Sequence, residues 1–199
     1  DNLPKYRDGG VEIVYSITEE KVDGYETVVD GYNVTNTHTP ETTLVEGAKL
    51  WKDANDQDGL RPESITINLL ADGTIIDTIV VRESDDWSFS FNDLPKYRDG
   101  GIKIVYTITE EKVDGYETTL DGYLVVNTHI PETIILEGTK IWIDNNNQDG
   151  IRPTNIKINV LADGATIRTM IVTESDNWSW KLEELPKYRD GGVEIVYSI

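Results

Sequence analysis

The amino-acid sequence contains no cysteine, two histidines and one methionine in 199 residues. Without cysteine the chain can form neither a disulfide nor a thiolate nucleophile, and two histidines leave few ligands for a zinc or iron–sulfur site. No apolar run approaches the roughly 20 residues that a membrane-spanning helix needs, and the first residues lack the pattern of a signal peptide. We therefore expect no metal, no cofactor and no membrane insertion of this segment.

Basic residues are scarce, with 18 Lys and Arg against 37 Asp and Glu and a net charge of −19. This charge would repel phosphate backbones and anionic lipid headgroups, which argues against nucleic acid as a partner. The sequence is nevertheless 38% hydrophobic and has 5 Trp, unlike a disordered acidic tail. We therefore expect a folded protein with a core.

A long internal repeat organises the chain. The string LPKYRDGG begins at Leu3, Leu94 and Leu185, and therefore recurs every 91 residues. The units of solenoid proteins are shorter, at about 20–50 residues, whereas this period suits a whole small domain. The sequence therefore predicts a tandem array of domains.

The domain boundaries are expected at the prolines of two short motifs, THTPET and THIPET. Proline ends strand pairing and stiffens a connection. These boundaries define the C-terminal part of a preceding repeat (1–40), a complete repeat (41–131) and the N-terminal part of a following repeat (132–199). The chain is thus expected to begin and end inside a repeat.

The alternation of apolar and polar residues predicts an all-β fold. Residues 64–69 alternate, Ala71-Asp72-Gly73 is typical of a hairpin turn, and residues 75–81 return along a second strand. Residues 87–92 alternate in the same way, with Trp and Phe on one face. About seven short strands per repeat predict a two-layer sandwich.

Three polar residues of the complete repeat fall on apolar strand faces: Lys49 on the first strand, Glu110 on a strand over 102–110, and Asn127 on the last. The partial repeats have Glu19, Asn36 and Lys140 at the equivalent positions, with Glu19 ending the apolar row that starts at Val11. An alternative interpretation has all three exposed, because a one-residue slip in register turns every side chain to the other face.

Lys, Glu and Asn could join into an amide if they meet in a dry interior. A buried lysine is driven towards its neutral, nucleophilic amine, and a buried glutamic acid can shuttle a proton. Attack of the amine on the asparagine carboxamide would release ammonia and leave an amide between two side chains. The sequence therefore predicts a mass loss of about 17 Da per complete domain.

Several motifs resemble those of one known family. The strings WKDANDQDGLRP (51–62) and WIDNNNQDGIRP (142–153) resemble the opening of the B-type domain of bacterial collagen-binding adhesins, the Cna-B family. The strings NLLADG, ESDDW, LPKY, YTITEE, GYE and VVNTHIP follow in the same order. The family often has an aromatic residue where this chain has His38 and His129.

This resemblance implies tandem Ig-like two-sheet β-sandwiches, each with an intramolecular Lys–Asn isopeptide bond assisted by an acidic residue. The positions carried over are Lys49, Asn127 and the proton shuttle Glu110 in the complete repeat. Glu19, Asn36 and Lys140 would have partners outside their own partial repeats. The resemblance also implies the stalk of an extracellular, cell wall-anchored surface protein of a Gram-positive bacterium.

Three hypotheses about function follow. In the favoured one, neighbouring repeats form a stiff structural stalk that displays a binding region located elsewhere, with a single-turnover self-modification and no enzyme activity. In the second, the repeats themselves bind a host extracellular matrix protein. In the third, the split terminal domains complement one another between molecules, which gives head-to-tail self-association into a fibre.

Other motifs have simpler interpretations. The acidic loops at 53–59 and 144–150 could be calcium loops, but the glutamate that should close a 12-residue loop is missing, so a polar turn is favoured. The alternation of the tryptophans favours core packing over a sugar-binding platform. His38 and His129 have no acid and serine arrangement that would indicate a hydrolase triad.

Overall fold

The computed structural model describes residues 2–199, and strands dominate it. The strands are β1 (Tyr6–Arg7), β2 (Val11–Glu12), β3 (Glu26–Asp30), β4 (Asn33–Thr37), β5 (Thr42–Lys52), β6 (Ser64–Ala71), β7 (Thr74–Arg82), β8 (Ser88–Pro95), β9 (Tyr97–Arg98), β10 (Ile102–Lys103), β11 (Tyr106–Glu110), β12 (Glu117–Asp121), β13 (Leu124–Thr128), β14 (Thr133–Thr139), β15 (Asn155–Ala162), β16 (Ala165–Thr173), β17 (Ser179–Pro186), β18 (Tyr188–Arg189), β19 (Val193–Glu194) and β20 (Tyr197–Ser198).

Helical structure in residues 2–199 is limited to three short 3-10 turns at Asp8–Gly10, Glu83–Asp85 and Glu174–Asp176. The predicted all-β class is confirmed. None of the helices in this range has the length and apolar character required to cross a membrane.

Contacts divide the chain into two compact units. One comprises the chain up to Thr43 together with Asp93–Ile104, and the other comprises Leu44–Asn92 with Val105–Ile199. This division does not follow the repeat boundaries at 40/41 and 131/132, which stay a prediction of the sequence.

Two sheets of the complete repeat form the framework of the larger unit. One sheet has the strand order β11-β6-β7, and the other has the order β12-β13-β5-β8. Strictly alternating side chains of β6 are buried, because one face of the strand lies against the core: Ile65, Ile67 and Leu69. The predicted two-layer arrangement with about seven main strands is therefore found, with β9 and β10 as a small additional hairpin.

The hairpin between β6 and β7 forms where the sequence predicts it. Its two loop residues, Asp72 and Gly73, have φ of 49° and 86°. Positive φ at both positions is the geometry of a type I′ turn, whose twist matches that of the flanking strands. The Asp72 carboxylate also accepts a hydrogen bond of 3.1 Å from the Val105 amide, which ties β11 to this turn.

The strands expected to lead into the two glutamates differ from the prediction. The continuous strand over 102–110 is divided into β10, which pairs with β9, and β11, which pairs with β6. Ile102 is therefore exposed, while the alternation holds from Ile104 to Glu110. In the first repeat the corresponding strand is limited to β2, and residues 13–22 have no regular structure. β2 and β10 pair with the two-residue strands β1 and β9, whereas β11 pairs along its whole length with β6. A strand without a partner leaves its backbone groups unsatisfied, so the regular structure ends where the partner strand ends.

The remaining sheets are small. β1 pairs with β2 and β3 with β4 in the first repeat, whereas the third repeat has β14-β17, β16-β15-β20 and β18-β19. Trp178 and Leu182 of the third repeat are buried. Their spacing agrees with the alternation that the sequence shows.

Candidate functional site: a buried Lys–Glu–Asn cluster

The first and last strands of the complete repeat are parallel neighbours. In this pairing Lys49 of β5 lies opposite Val125 of β13, and Asn127 lies opposite Trp51. Since side chains two residues apart share a face, Lys49 and Asn127 are diagonal neighbours on the same side of the sheet. Both residues are buried, with exposed fractions of 6% and 0%.

Glu110 reaches this pair from the opposing sheet. Its backbone pairs with Ile67 of β6, so its side chain crosses the interior of the sandwich. Lys49 Nζ donates a hydrogen bond of 2.6 Å to Glu110 Oε1, and Asn127 Nδ2 donates one of 3.3 Å to the same oxygen. The side chains of Lys49 and Glu110 are fully shielded from solvent. The structure therefore brings together all three residues that the sequence singled out.

Burial shifts the protonation equilibrium of Lys49 towards its neutral amine. Burial lowers the pKa of its ammonium group from the usual 10.5, although the hydrogen bond and charge of Glu110 oppose this change. The Trp51 ring, whose centroid lies 4.4 Å from Lys49 Nζ, likewise favours the charged form. The amine of Lys49, the carboxyl group of Glu110 and the carboxamide of Asn127 thus meet in one buried cluster, and these are the groups that an amide-forming reaction between side chains uses.

A fourth residue, Thr118, completes the cluster and was missed by the sequence reasoning. It lies on β12 directly opposite Asn127. Its Oγ1 atom is 2.7 Å from Glu110 Oε2 and 2.7 Å from Asn127 Oδ1. A signal was present, because Thr27 and Thr118 are identical in two repeats whose next residues, Val28 and Thr119, differ.

The first repeat has the same arrangement without a lysine. Asn36 Nδ2 donates to Glu19 Oε1 at 3.0 Å, and Thr27 Oγ1 lies 2.9 Å from Glu19 Oε2 and 2.6 Å from Asn36 Oδ1. All three residues are exposed. Glu19 and Asn36 are thus brought together, although Glu19 does not lie on the predicted strand.

Lys140 of the third repeat differs from the expectation. The sequence places it on an inward strand face, but β14 ends at Thr139 and Lys140 is exposed. The backbone amide of Lys140 still donates to the carbonyl of Trp178, as Lys49 does to Trp87. The difference has a physical cause, since β5 continues to Lys52 alongside its parallel neighbour β13, whereas β14 forms a two-stranded sheet with β17.

A second polar cluster lies at the end of β13. His129 Nε2 is 2.9 Å from Asp58 Oδ2, and His129 Nδ1 is 2.9 Å from the carbonyl oxygen of Gly115. Asp58 supplies an acid beside His129, but these contacts of the histidine include no serine and so do not form a hydrolase triad. The Asp58 carboxylate also accepts a hydrogen bond of 2.7 Å from the Glu132 amide, at the predicted start of the third repeat.

The acidic loop at 53–59 uses its carboxylates internally. Arg61 donates to both oxygens of Asp53, at 3.0 Å and 2.7 Å, and Tyr116 donates to the same carboxylate at 2.9 Å. Burial opposes ionisation of Asp53, but these hydrogen bonds lower its pKa from the usual 3.8. The loop residues Ala54–Asp56 all have positive φ. This geometry favours the polar-turn interpretation.

The tryptophan at the end of β5 packs against other aromatic rings. Trp51 contacts Trp87 edge-on at 5.2 Å between ring centroids and Tyr116 at 5.0 Å. In the third repeat, Trp142 and Trp178 form the equivalent edge-on pair at 5.0 Å. These contacts favour core packing over a sugar-binding platform.

These features define a class of protein, namely tandem β-sandwich repeats with a polar cluster between the two sheets. The family model described as the Cna protein B-type domain matches residues 1–37, 45–128 and 136–199. The chain belongs to this family, which confirms the resemblance seen in the sequence.

Two relatives illustrate the similarity. A collagen adhesin of Staphylococcus aureus is 44% identical over 200 residues, which cover 96% of this chain and 16% of the adhesin. The crystal structure of two B repeat units of the collagen binding protein of S. aureus is similar with a TM-score of 0.54 and 42% identity, and the match covers 90% of this chain and 49% of that chain. The chain thus spans a small part of the adhesin that it matches.

Proposed function

We propose that the chain is a segment of the stalk of a bacterial surface adhesin, in which the complete repeat is stiffened by an isopeptide bond between Lys49 and Asn127. The observation that carries this proposal is the dry contact of Lys49 and Asn127 with the same oxygen of Glu110. Each repeat then serves as a structural element and modifies itself once, without catalytic turnover.

The reaction starts with transfer of a proton from the Lys49 ammonium to Glu110, which leaves two neutral groups. Lys49 Nζ then forms a bond to Asn127 Cγ, and the bond from Cγ to Nδ2 breaks. Glu110 accepts a proton from Nζ and passes one to the leaving nitrogen, which departs as ammonia. Fixed placement of the reacting groups can supply about 7–11 kcal/mol of the barrier.

The product would stabilise the repeat as a disulfide does, without an oxidising compartment. The bond closes a loop of roughly 80 residues, and the chain-entropy estimate for a cross-link of this span is about 4–5 kcal/mol. Since it joins the first strand to the last, it would also carry a pulling force across the repeat.

We place the ligand-binding region outside this segment, on the surface of a Gram-positive cell. The S. aureus relative is a collagen adhesin, and this chain matches only 16% of its length. Binding of this chain to immobilised collagen or another matrix protein would favour the second hypothesis instead. A ladder of bands on a denaturing gel would favour head-to-tail linkage between molecules.

The mass of the intact protein tests the proposed bond. We expect the folded chain to be about 17 Da lighter than its sequence requires, because one ammonia leaves the complete repeat. Lys49→Ala should have its full calculated mass, and a digest of the wild type should contain one peptide pair joined through Lys49 and Asn127. A wild-type chain of full mass would contradict the proposal.

Glu110→Gln tests the proton shuttle. Glutamine can keep hydrogen bonds to its neighbours but cannot accept a proton from the Lys49 ammonium, so we expect the full mass in this variant. Glu111→Gln is the matched control, because Glu111 is exposed next to it in sequence. The control should lose ammonia as the wild type does, and loss of ammonia in Glu110→Gln would contradict the role of Glu110.

A further inference from the structure

Thr118 is placed to take part in bond formation, a role that rests on the proposed isopeptide reaction. Its hydroxyl lies between a carboxyl oxygen of Glu110 and the carboxamide oxygen of Asn127, at 2.7 Å from each. Thr118 belongs to β12, the edge strand of its sheet, and is exposed, whereas Asn127 beside it is completely buried. It is therefore the outermost member of the cluster.

Only one arrangement of protons lets the hydroxyl satisfy both contacts at once. A threonine hydroxyl has one proton to donate, and the carboxamide oxygen of Asn127 can only accept. Thr118 can therefore satisfy both contacts only if it donates to Asn127 Oδ1 and accepts from Glu110 Oε2. This requires a proton on Glu110, which is the state in which Lys49 is the neutral nucleophile.

We propose that the Thr118 hydroxyl relays a proton from Glu110 to the carboxamide oxygen of Asn127 as Lys49 attacks. As Nζ bonds to Cγ, the Thr118 proton moves to Oδ1 and the Glu110 proton replaces it on Oγ1. When ammonia leaves, both protons return along the same path and the carbonyl is restored. The hydroxyl thereby stabilises the charge that develops on the oxygen of the tetrahedral intermediate.

The first repeat supports this inference independently. Thr27, Glu19 and Asn36 form the same set of contacts with no lysine among them. The Thr–Glu–Asn arrangement therefore forms without the nucleophile. Such a preformed group is what electrostatic stabilisation of an intermediate requires, because no reorganisation is then needed during the reaction.

The rate of ammonia loss tests the relay. Full-length chains are isolated in denaturant directly after cell-free synthesis, when they are unfolded and unreacted, and refolding is started by dilution. Tryptophan fluorescence then follows folding, and the intact mass follows the reaction. We expect Thr118→Val to fold as the wild type does but to lose ammonia about 100-fold more slowly, because removal of a donor to a developing oxyanion has this effect.

Three further variants distinguish the effect of losing the hydroxyl group from the effect of changing the packing of the strand. Thr118→Ser retains the hydroxyl and should react at nearly the wild-type rate, whereas Thr118→Ala should be slow and replaces the valine variant if that one fails to fold. Thr119→Val, on the opposite face of β12, should change nothing. A wild-type rate in both Thr118→Val and Thr118→Ala, or a serine variant as slow as alanine, would overturn the relay. A wild-type chain that never loses ammonia would instead overturn the proposed bond itself.

Discussion

Whether a polar residue of this chain is buried or exposed depends on the partners that the fold supplies. Lys49 and Lys140 are equivalent in sequence, yet the first is buried against Glu110 and the second is exposed. An isolated buried ammonium would be strongly unfavourable, so Lys49 depends on the hydrogen bond to Glu110. Thr118 could not be recognised from alternation alone, because its role depends on which residue of the neighbouring strand it faces.

His129 illustrates how a partner fixes a protonation state. Both of its ring nitrogens lie next to oxygen acceptors, and a neutral imidazole can donate from only one of them. The hydrogen bond to Asp58 and the one to Gly115, opposed by burial, raise the pKa of His129 above the usual 6.5. The charged ring therefore stabilises the folded state below that value, and this stabilisation is lost as the pH rises through the elevated pKa.

We expect His129→Gln to lower the melting temperature at about pH 5.5, by an amount equivalent to about 1 kcal/mol, and to have little effect at about pH 9. Thermal unfolding of both proteins across this range measures the difference. His38→Gln is a suitable control, because His38 makes the equivalent contact with the Gly24 carbonyl while Asp58 contacts His129. A difference that stays constant with pH would contradict the assignment.

At the scale of strands, the sequence predicts where the strands lie better than it predicts where they break. Period-two alternation identified β6 and the inward faces of β5 and β13, because alternate residues of a strand face the core. On β13 the opposite face is covered as well, since Val126 is buried between Val125 and Asn127. It could not identify the break between β10 and β11, since apolar residues continue through it. The break lies where the pairing partner changes, since β10 pairs with β9 and β11 pairs with β6. Alternation carries no information about pairing partners.

Gly47 shows how closely the strands around the site approach each other. A Cβ atom at this position would lie 2.3 Å from the Phe89 ring and 2.3 Å from the backbone oxygen of Tyr123. Tyr123 immediately precedes β13, and the Ala48 amide donates to its carbonyl oxygen. A side chain at position 47 must therefore push apart the two strands that carry Lys49 and Asn127.

We expect Gly47→Ala to destabilise the repeat by about 1–3 kcal/mol, as overpacking does, and to slow the loss of ammonia. The free energy is best measured by denaturant unfolding in a Lys49→Ala background, where no covalent bond can hide the effect. Glu46→Ala, an exposed neighbour on β5, provides the comparison. Equal stability and equal reaction rates for the two variants would show that the close approach does not matter.

For the whole molecule, the arrangement of β5 and β13 determines how tension would act on a repeat. The two strands are parallel neighbours, and the chain enters the repeat through β5 and leaves it through β13. Tension along the chain therefore shears the two strands past one another. Their backbone hydrogen bonds resist together, but only a covalent link between the strands can remove the segment between them from the load path.

The length released under force tests this role directly. With the bond in place, tension passes from β5 through the Lys49 and Asn127 side chains into β13, and the segment between them stays folded. Without the bond, that segment of roughly 80 residues extends and releases about 250 Å, given about 3.3–3.6 Å per extended residue and a small folded length. We expect this step when Lys49→Ala is stretched in a force microscope.

Wild type and Lys52→Ala, whose exposed lysine also lies on β5, should lack it. A wild-type repeat that lengthens as far as Lys49→Ala would show that no covalent link spans the two strands.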